Sequence, residues 1–270
     1  MKKYCLSILF FGLFTGKAFS QISPPGEGKA RTAGWFAFGI RQEIEKSWQS
    51  MSYIGVGRKS NPDNYDPFYK PAIFVLNQEF YHQSRKTWQY SFALSYRRQD
   101  EYSENSPYEH DKLRSKQEFR LYSRLSYILK TSYIKFVPTL RQEFRKFYSP
   151  DFKNADENFQ FRSRFRLQIV ASLNKAKTQA VTLSSEQLFS VSKENTPGTW
   201  TDFNYRESRF SLYYSYSPKT LPFIFSIGYM NNLIGRKNPY NVHYIAFDIV
   251  IENPFKFQKR SKKNIKENFE

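Results

Sequence analysis

The stretch FQFRSRFRLQIVASL, Phe159–Leu173, carries two chemistries that alternate residue by residue. Phe159, Phe161, Ser163, Phe165, Leu167, Ile169, Ala171 and Leu173 share one face, and Gln160, Arg162, Arg164, Arg166 and Gln168 share the other. A helix would scatter the three arginines around its axis. A period of two collects them on one side of a strand.

The same alternation recurs from Trp35 to Phe255. WFAFGIRQEI sets Phe36, Phe38 and Ile40 against Trp35, Arg41 and Glu43. WQYSFALSYR, FRLYSRLSYIL and HYIAFDIVIENPF divide in the same way. Eleven such segments are legible, over about 35–45, 48–58, 72–83, 88–98, 115–130, 133–148, 158–173, 178–191, 202–217, 222–234 and 243–255. Short connections such as QSRKT, KTS and NKAK alternate with longer ones rich in Asn, Asp, Pro and Gly, such as RKSNPDNYDPFYKP and RQDEYSENSPYEHDK. Short turns at one end and long loops at the other describe an all-β, up-and-down antiparallel meander.

A soluble sandwich and a transmembrane barrel both satisfy this pattern, so other features decide. The segments average more than ten residues, matching the ~9–11 tilted residues that cross a bilayer rather than the ~5–6 of ordinary strands. Trp48, Trp88, Tyr96, Tyr148 and Tyr229 sit near segment ends, as interfacial aromatic girdles do. MKK, the apolar YCLSILFFGLF and the small-residue pattern Ala18-Phe19-Ser20 read as a secretory signal over 1–20. Cys5, the one cysteine, lies inside it, so disulfides and thiolate chemistry are excluded from the mature chain.

The expectation is a transmembrane β-barrel of about 12 strands, with 10 as the alternative, located in the cell outer membrane. Segment 21–34 precedes the barrel, 35–255 forms it, and a basic tail follows over 256–270. An even count puts both termini on the periplasmic side, yet eleven segments are counted. Either a short strand lies within GEGKARTAGWF, or the N-terminal segment threads the interior. In the last segment Ile245, Phe247, Ile249, Ile251 and Phe255 share one phase, which resembles the terminal-strand signal read by the barrel-assembly machinery.

GWFAFGIRQEIEKSW, FRSRFRLQI and the closing YRESRFSLYYSYS, FIFSIGYMNN and HYIAFDI together resemble an outer-membrane barrel family known as domain of unknown function 2490. The resemblance spans most of the mature chain. It implies the barrel and its location, and no activity.

The formal charge of +18 falls by three to +15 when Lys2, Lys3 and Lys17 leave with the signal. Export argues against nucleic acid as the partner, leaving outer-membrane lipid and lipopolysaccharide or small anionic solutes. The inward phase collects Arg41, Glu43, Arg97, Arg120, Arg124, Arg141, Glu143, Arg145, Arg162, Arg164, Arg166, Glu207, Arg209 and Asp248, joined by Glu79. Three segments share a Gln-Glu-Phe step, at 77–80, 116–119 and 141–144.

Paired across strands, these charges fill a narrow, structural barrel. Left in excess, the arginines line a passage for small anions. A lipid-modifying enzyme is the third class, with His243 as its one rim histidine. The chain holds no Gly-x-Ser-x-Gly or His-Glu-x-x-His, so no catalytic residue, cofactor or metal ligand is assigned. The acids Asp100, Glu101, Glu104, Glu109 and Asp111 match no calcium-loop spacing.

Overall fold

The computed structural model describes residues 22, 24–26, 28–85, 87–103, 105–194 and 198–255. The expected signal segment (1–20) and basic tail (256–270) lie outside the described residues. Twelve strands follow one another: β1 (Thr32–Glu43), β2 (Trp48–Lys59), β3 (Lys70–Gln83), β4 (Trp88–Tyr102), β5 (His110–Tyr127), β6 (Leu129–Lys130), β7 (Ile134–Tyr148), β8 (Asn154–Ser172), β9 (Gln179–Glu194), β10 (Asn204–Tyr216), β11 (Phe223–Ile234) and β12 (Tyr240–Glu252). Consecutive strands pair, except that β5 and β6 both pair with β7 and not with each other, and β12 returns to β1 to close a barrel.

The about 12 strands expected are present, but eleven of them make the ring. β6 is a two-residue continuation of β5 beyond Ile128, paired to β7 through Leu129↔Phe136 and Lys130↔Lys135. An odd ring forces its first and last strands to run the same way. The β1–β12 seam is accordingly parallel, in register from Thr32↔His243 to Arg41↔Glu252. Every other pairing is antiparallel, as the meander pattern predicts.

The parity problem has a physical resolution. Among the described residues no separate strand occupies GEGKARTAGWF; β1 begins within it at Thr32. The described residues before it, Ile22 and Pro24–Gly26 among them, lie inside the barrel. Arg31 and Thr32 both donate their backbone N–H to Ser60 Oγ at the long-loop rim, 3.1 and 3.0 Å away. Ile22 packs with Trp35 and Met51, deeper and toward the short-turn end. The chain thus makes an additional pass through the interior, the second of the two expected solutions.

The alternation dictates what each face buries. Outward side chains such as Phe36, Leu94, Leu121, Phe144, Phe165 and Leu212 are exposed, and they form a belt around the outer surface. Monomeric soluble proteins rarely expose contiguous apolar patches above a few hundred Å². The inner face divides in two. Near the seam it is apolar, with Trp35, Ala37, Met51, Val75, Tyr213, Ile224, Ala246 and Val250 in one cluster. Across β4–β10 it is charged.

Candidate functional site: the charged interior

Strands β4, β5, β7, β8, β9 and β10 each send alternate polar residues inward, and five glutamates organise the arginines among them. Glu118 takes two parallel hydrogen bonds from Arg145, each 2.7 Å, and a third contact of 2.7 Å from Arg120. Such forked pairing is what a planar guanidinium offers a carboxylate. Glu143, with no exposed surface, lies 2.6 Å from Arg141, 3.0 Å from Arg164 and 3.6 Å from Arg120.

Glu186 holds the other side of Arg164. Glu207 accepts from Arg209 at 2.6 Å and from Asn232 at 2.8 Å, with Arg162 3.9 Å away. Glu79 lies 3.2 Å from Arg124 and accepts from Tyr122 Oη at 2.9 Å and from Ser91 Oγ at 2.5 Å. The guanidinium of Arg141 lies over the Tyr122 ring, 3.6 Å from its centroid, a cation–π contact that desolvation strengthens.

Register explains why hubs are needed. Arg124 stands directly opposite Arg141, and Arg141 directly opposite Arg164. Arg120 and Arg145 face each other as well. Like charges in directly opposed cross-strand positions repel. Each carboxylate one step along the barrel offsets such a row, so that Glu143 serves three arginines from three strands.

The N-terminal segment closes the space that remains. Arg97 donates to the carbonyl of Gly26 and Arg209 to that of Pro24, the latter at 3.2 Å. Backbone carbonyls thereby satisfy guanidinium protons that the glutamates do not reach. Between this segment and the arginine wall a cavity of about 60 Å³ remains.

Of the residues singled out from the sequence, Glu79, Arg97, Arg120, Arg124, Arg141, Glu143, Arg162, Arg164, Glu207 and Arg209 belong to this network. Arg166 lines the cavity beside them. Arg41 stands apart, toward the short turns, with Glu252 at 3.1 Å. Glu43 shares its strand end, where its N–H donates to Asn253 Oδ1 at 2.7 Å. Asp248 is buried in the apolar half and forms no ion pair among the described residues; Trp35 is a polar neighbour through its indole nitrogen.

Two hubs are absent from the sequence reading, Glu118 and Glu186. Glu118 was legible: it is the middle residue of the second Gln-Glu-Phe step and in phase with Arg120. All three steps turn their glutamate inward, and two of their glutamines accept from a serine on an adjacent strand, Gln78 from Ser52 on β2 and Gln142 from Ser163 on β8. Glu186 had no comparable signal, because β9 mixes Thr182, Ser184, Leu188 and Ser190 on its inner face.

The histidines are engaged elsewhere. His82 packs between Trp48 and Tyr90, with ring centroids 4.7 and 4.8 Å away, and His110 stacks on Tyr102 at 4.3 Å. His243, exposed on the outer face, meets Tyr229 Oη through Nδ1 at 2.7 Å, with Asn231 3.4 Å away. Neither a serine nor a carboxylate takes part in those contacts. No known protein family matches the chain, and no curated protein matches its sequence.

Proposed function

We propose that this chain is an outer-membrane β-barrel that acts as a structural scaffold, its arginine-rich interior sealed by ion pairs and by its own N-terminal segment. The observation that carries this reading is the sealed interior. Eight of the nine inward arginines are gathered by five glutamates, the Pro24 and Gly26 carbonyls cap two of them, and a cavity of about 60 Å³ is left between them. That space is small beside the continuous water-filled lumen through which a hydrated file of ions passes.

The exposed apolar belt, the strand lengths and the signal-like leader support an outer-membrane location, with lipid and lipopolysaccharide as neighbours and the barrel-assembly machinery as the insertion partner. A narrow pore for small anions is the second reading, favoured by the excess of arginine over glutamate. The enzyme reading finds no support at His243.

Planar-bilayer recording on the purified full chain separates the first two readings. A sealed scaffold gives no stepwise conductance, and deletion of residues 22–28 introduces anion-selective steps. Anion-selective steps from the intact chain would establish the pore instead. For location, the protein fractionates with outer membranes and its gel mobility shifts on boiling; release by osmotic shock would sink the membrane assignment.

A further inference from the structure

The charged wall holds more positive charge than the carboxylates around it can match. Among the described residues, five glutamates, Glu79, Glu118, Glu143, Glu186 and Glu207, stand against the nine inward arginines of β4–β10 and pair with eight of them; Glu157 pairs instead with Lys116, at 3.3 Å. The surplus collects at one place. Arg124, Arg141, Arg164 and Arg166 all line the cavity, and only Glu79 and Glu186 among the carboxylates reach its wall.

Arg166 stands directly opposite Glu186 in register, yet that carboxylate is bound to Arg164. Arg166 makes no hydrogen bond or ion pair among the described residues. Arg166 is half-buried, so without a protein acceptor its guanidinium is solvated only by what the cavity holds, among three more arginines that repel it. The repulsion is offset if an anion occupies the space. Guanidinium forks suit oxyanions, several converging N–H groups suit a halide as well, and about 60 Å³ admits a small anion.

We propose that this cavity binds one small inorganic anion, of chloride to phosphate size, held by Arg166 with Arg124, Arg141 and Arg164 as a resident part of the barrel interior. The inference rests on the sealed interior proposed above. It adds a ligand to that reading: the anion supplies negative charge that the chain's own carboxylates do not.

The test uses the detergent-purified full chain, desalted into gluconate. Denaturation followed by ion chromatography is expected to release about one chloride or phosphate per chain, and the ion recovered identifies which of the two is resident. At constant ionic strength, chloride or phosphate raises the Tm by about 5–10 °C at a hundredfold excess over the dissociation constant, whereas gluconate does not. Arg166→Gln loses both the released ion and the Tm response, and Arg98→Gln, on the outer face, keeps both.

Absence of a released ion together with a flat Tm in the unaltered chain would overturn the site, as would an Arg166→Gln barrel that retains both signals. If Arg166→Gln does not fold, Arg166→Lys removes the fork while keeping the charge and is expected to weaken the Tm response at least tenfold in anion concentration; an unchanged response overturns the assignment. Conductance of the intact chain tests the sealed interior separately, so failure of one reading is distinguishable from failure of the other.

Discussion

The two halves of the barrel interior are filled by opposite means. Around the seam, on β11, β12, β1 and β2, large aromatics sit in holes left by glycines: the Trp35 indole lies where a Cβ on Gly55 would be, and the Tyr213 ring covers Gly228, its direct cross-strand partner. Across β5, β7 and β8 there is no glycine, and none occurs in the sequence between Gly57 and Gly198. There the filling is long, charged side chains that must be ordered by partners. The glycine half is specified by shape, which is local and steric. The arginine half is specified by charge balance, which needs four or more strands in place at once. A narrow barrel can therefore close where packing is simple and still place a polar network opposite the closure.

The contrast is most directly broken at the network's centre. Glu143→Gln leaves Arg120, Arg141 and Arg164 without their shared carboxylate, and removing one partner from a buried ionic cluster costs ~3–5 kcal/mol. Urea titration of the barrel in detergent micelles reads this as a lowered midpoint. A loss below ~1 kcal/mol would mean that the charged half is not held by its hubs.

A smaller effect is expected from the shape-specified half. Gly55→Ala or Gly228→Ala drives a methyl group into an aromatic ring, and overpacking of this kind costs ~1–3 kcal/mol. Trp35→Leu combined with Gly55→Ala recovers part of the loss if steric fit is the cause; strictly additive losses in the same titration would refute that cause. The smallest effect belongs to Arg98→Ala. This arginine is on the outer face, its side chain 58% exposed, and its contact with Asp100 is 3.5 Å. Exposed pairs of this type contribute ~0–1 kcal/mol. A larger loss would show that the outer rim shares in the stability ascribed here to the interior.

The sequence made the charged residues legible because a strand's two faces are written at a period of two. Arg162, Arg164 and Arg166 could be assigned to one side from their spacing alone, as could Glu143 between Arg141 and Arg145. Glu118 needed only the phase of its own segment. Glu186 was hidden because the inner face of β9 is half polar and half apolar, so the alternation that marks the other strands is lost. Asp248 shows the converse. Its phase was clear from Ile245, Phe247 and Ile249 on the other face, but nothing in its own strand indicated that its surroundings would be apolar.

By itself, the sequence determined that the chain is all-β, where most strands lie and which side chains share a face, because these follow from local periodicity and turn chemistry. The tertiary structure alone decided the odd ring with its parallel seam, the return of the N-terminal segment through the interior, and which arginine meets which glutamate. Pairing depends on the register between strands and on closure between β1 and β12, whose aligned residues Thr32 and His243 lie at opposite ends of the barrel sequence. The segment from Ile22 to Arg31 has no periodicity to betray its path. Its residues Pro24, Gly26 and Arg31 are held by Arg209, Arg97 and Ser60, which reach them only after the barrel has brought them together.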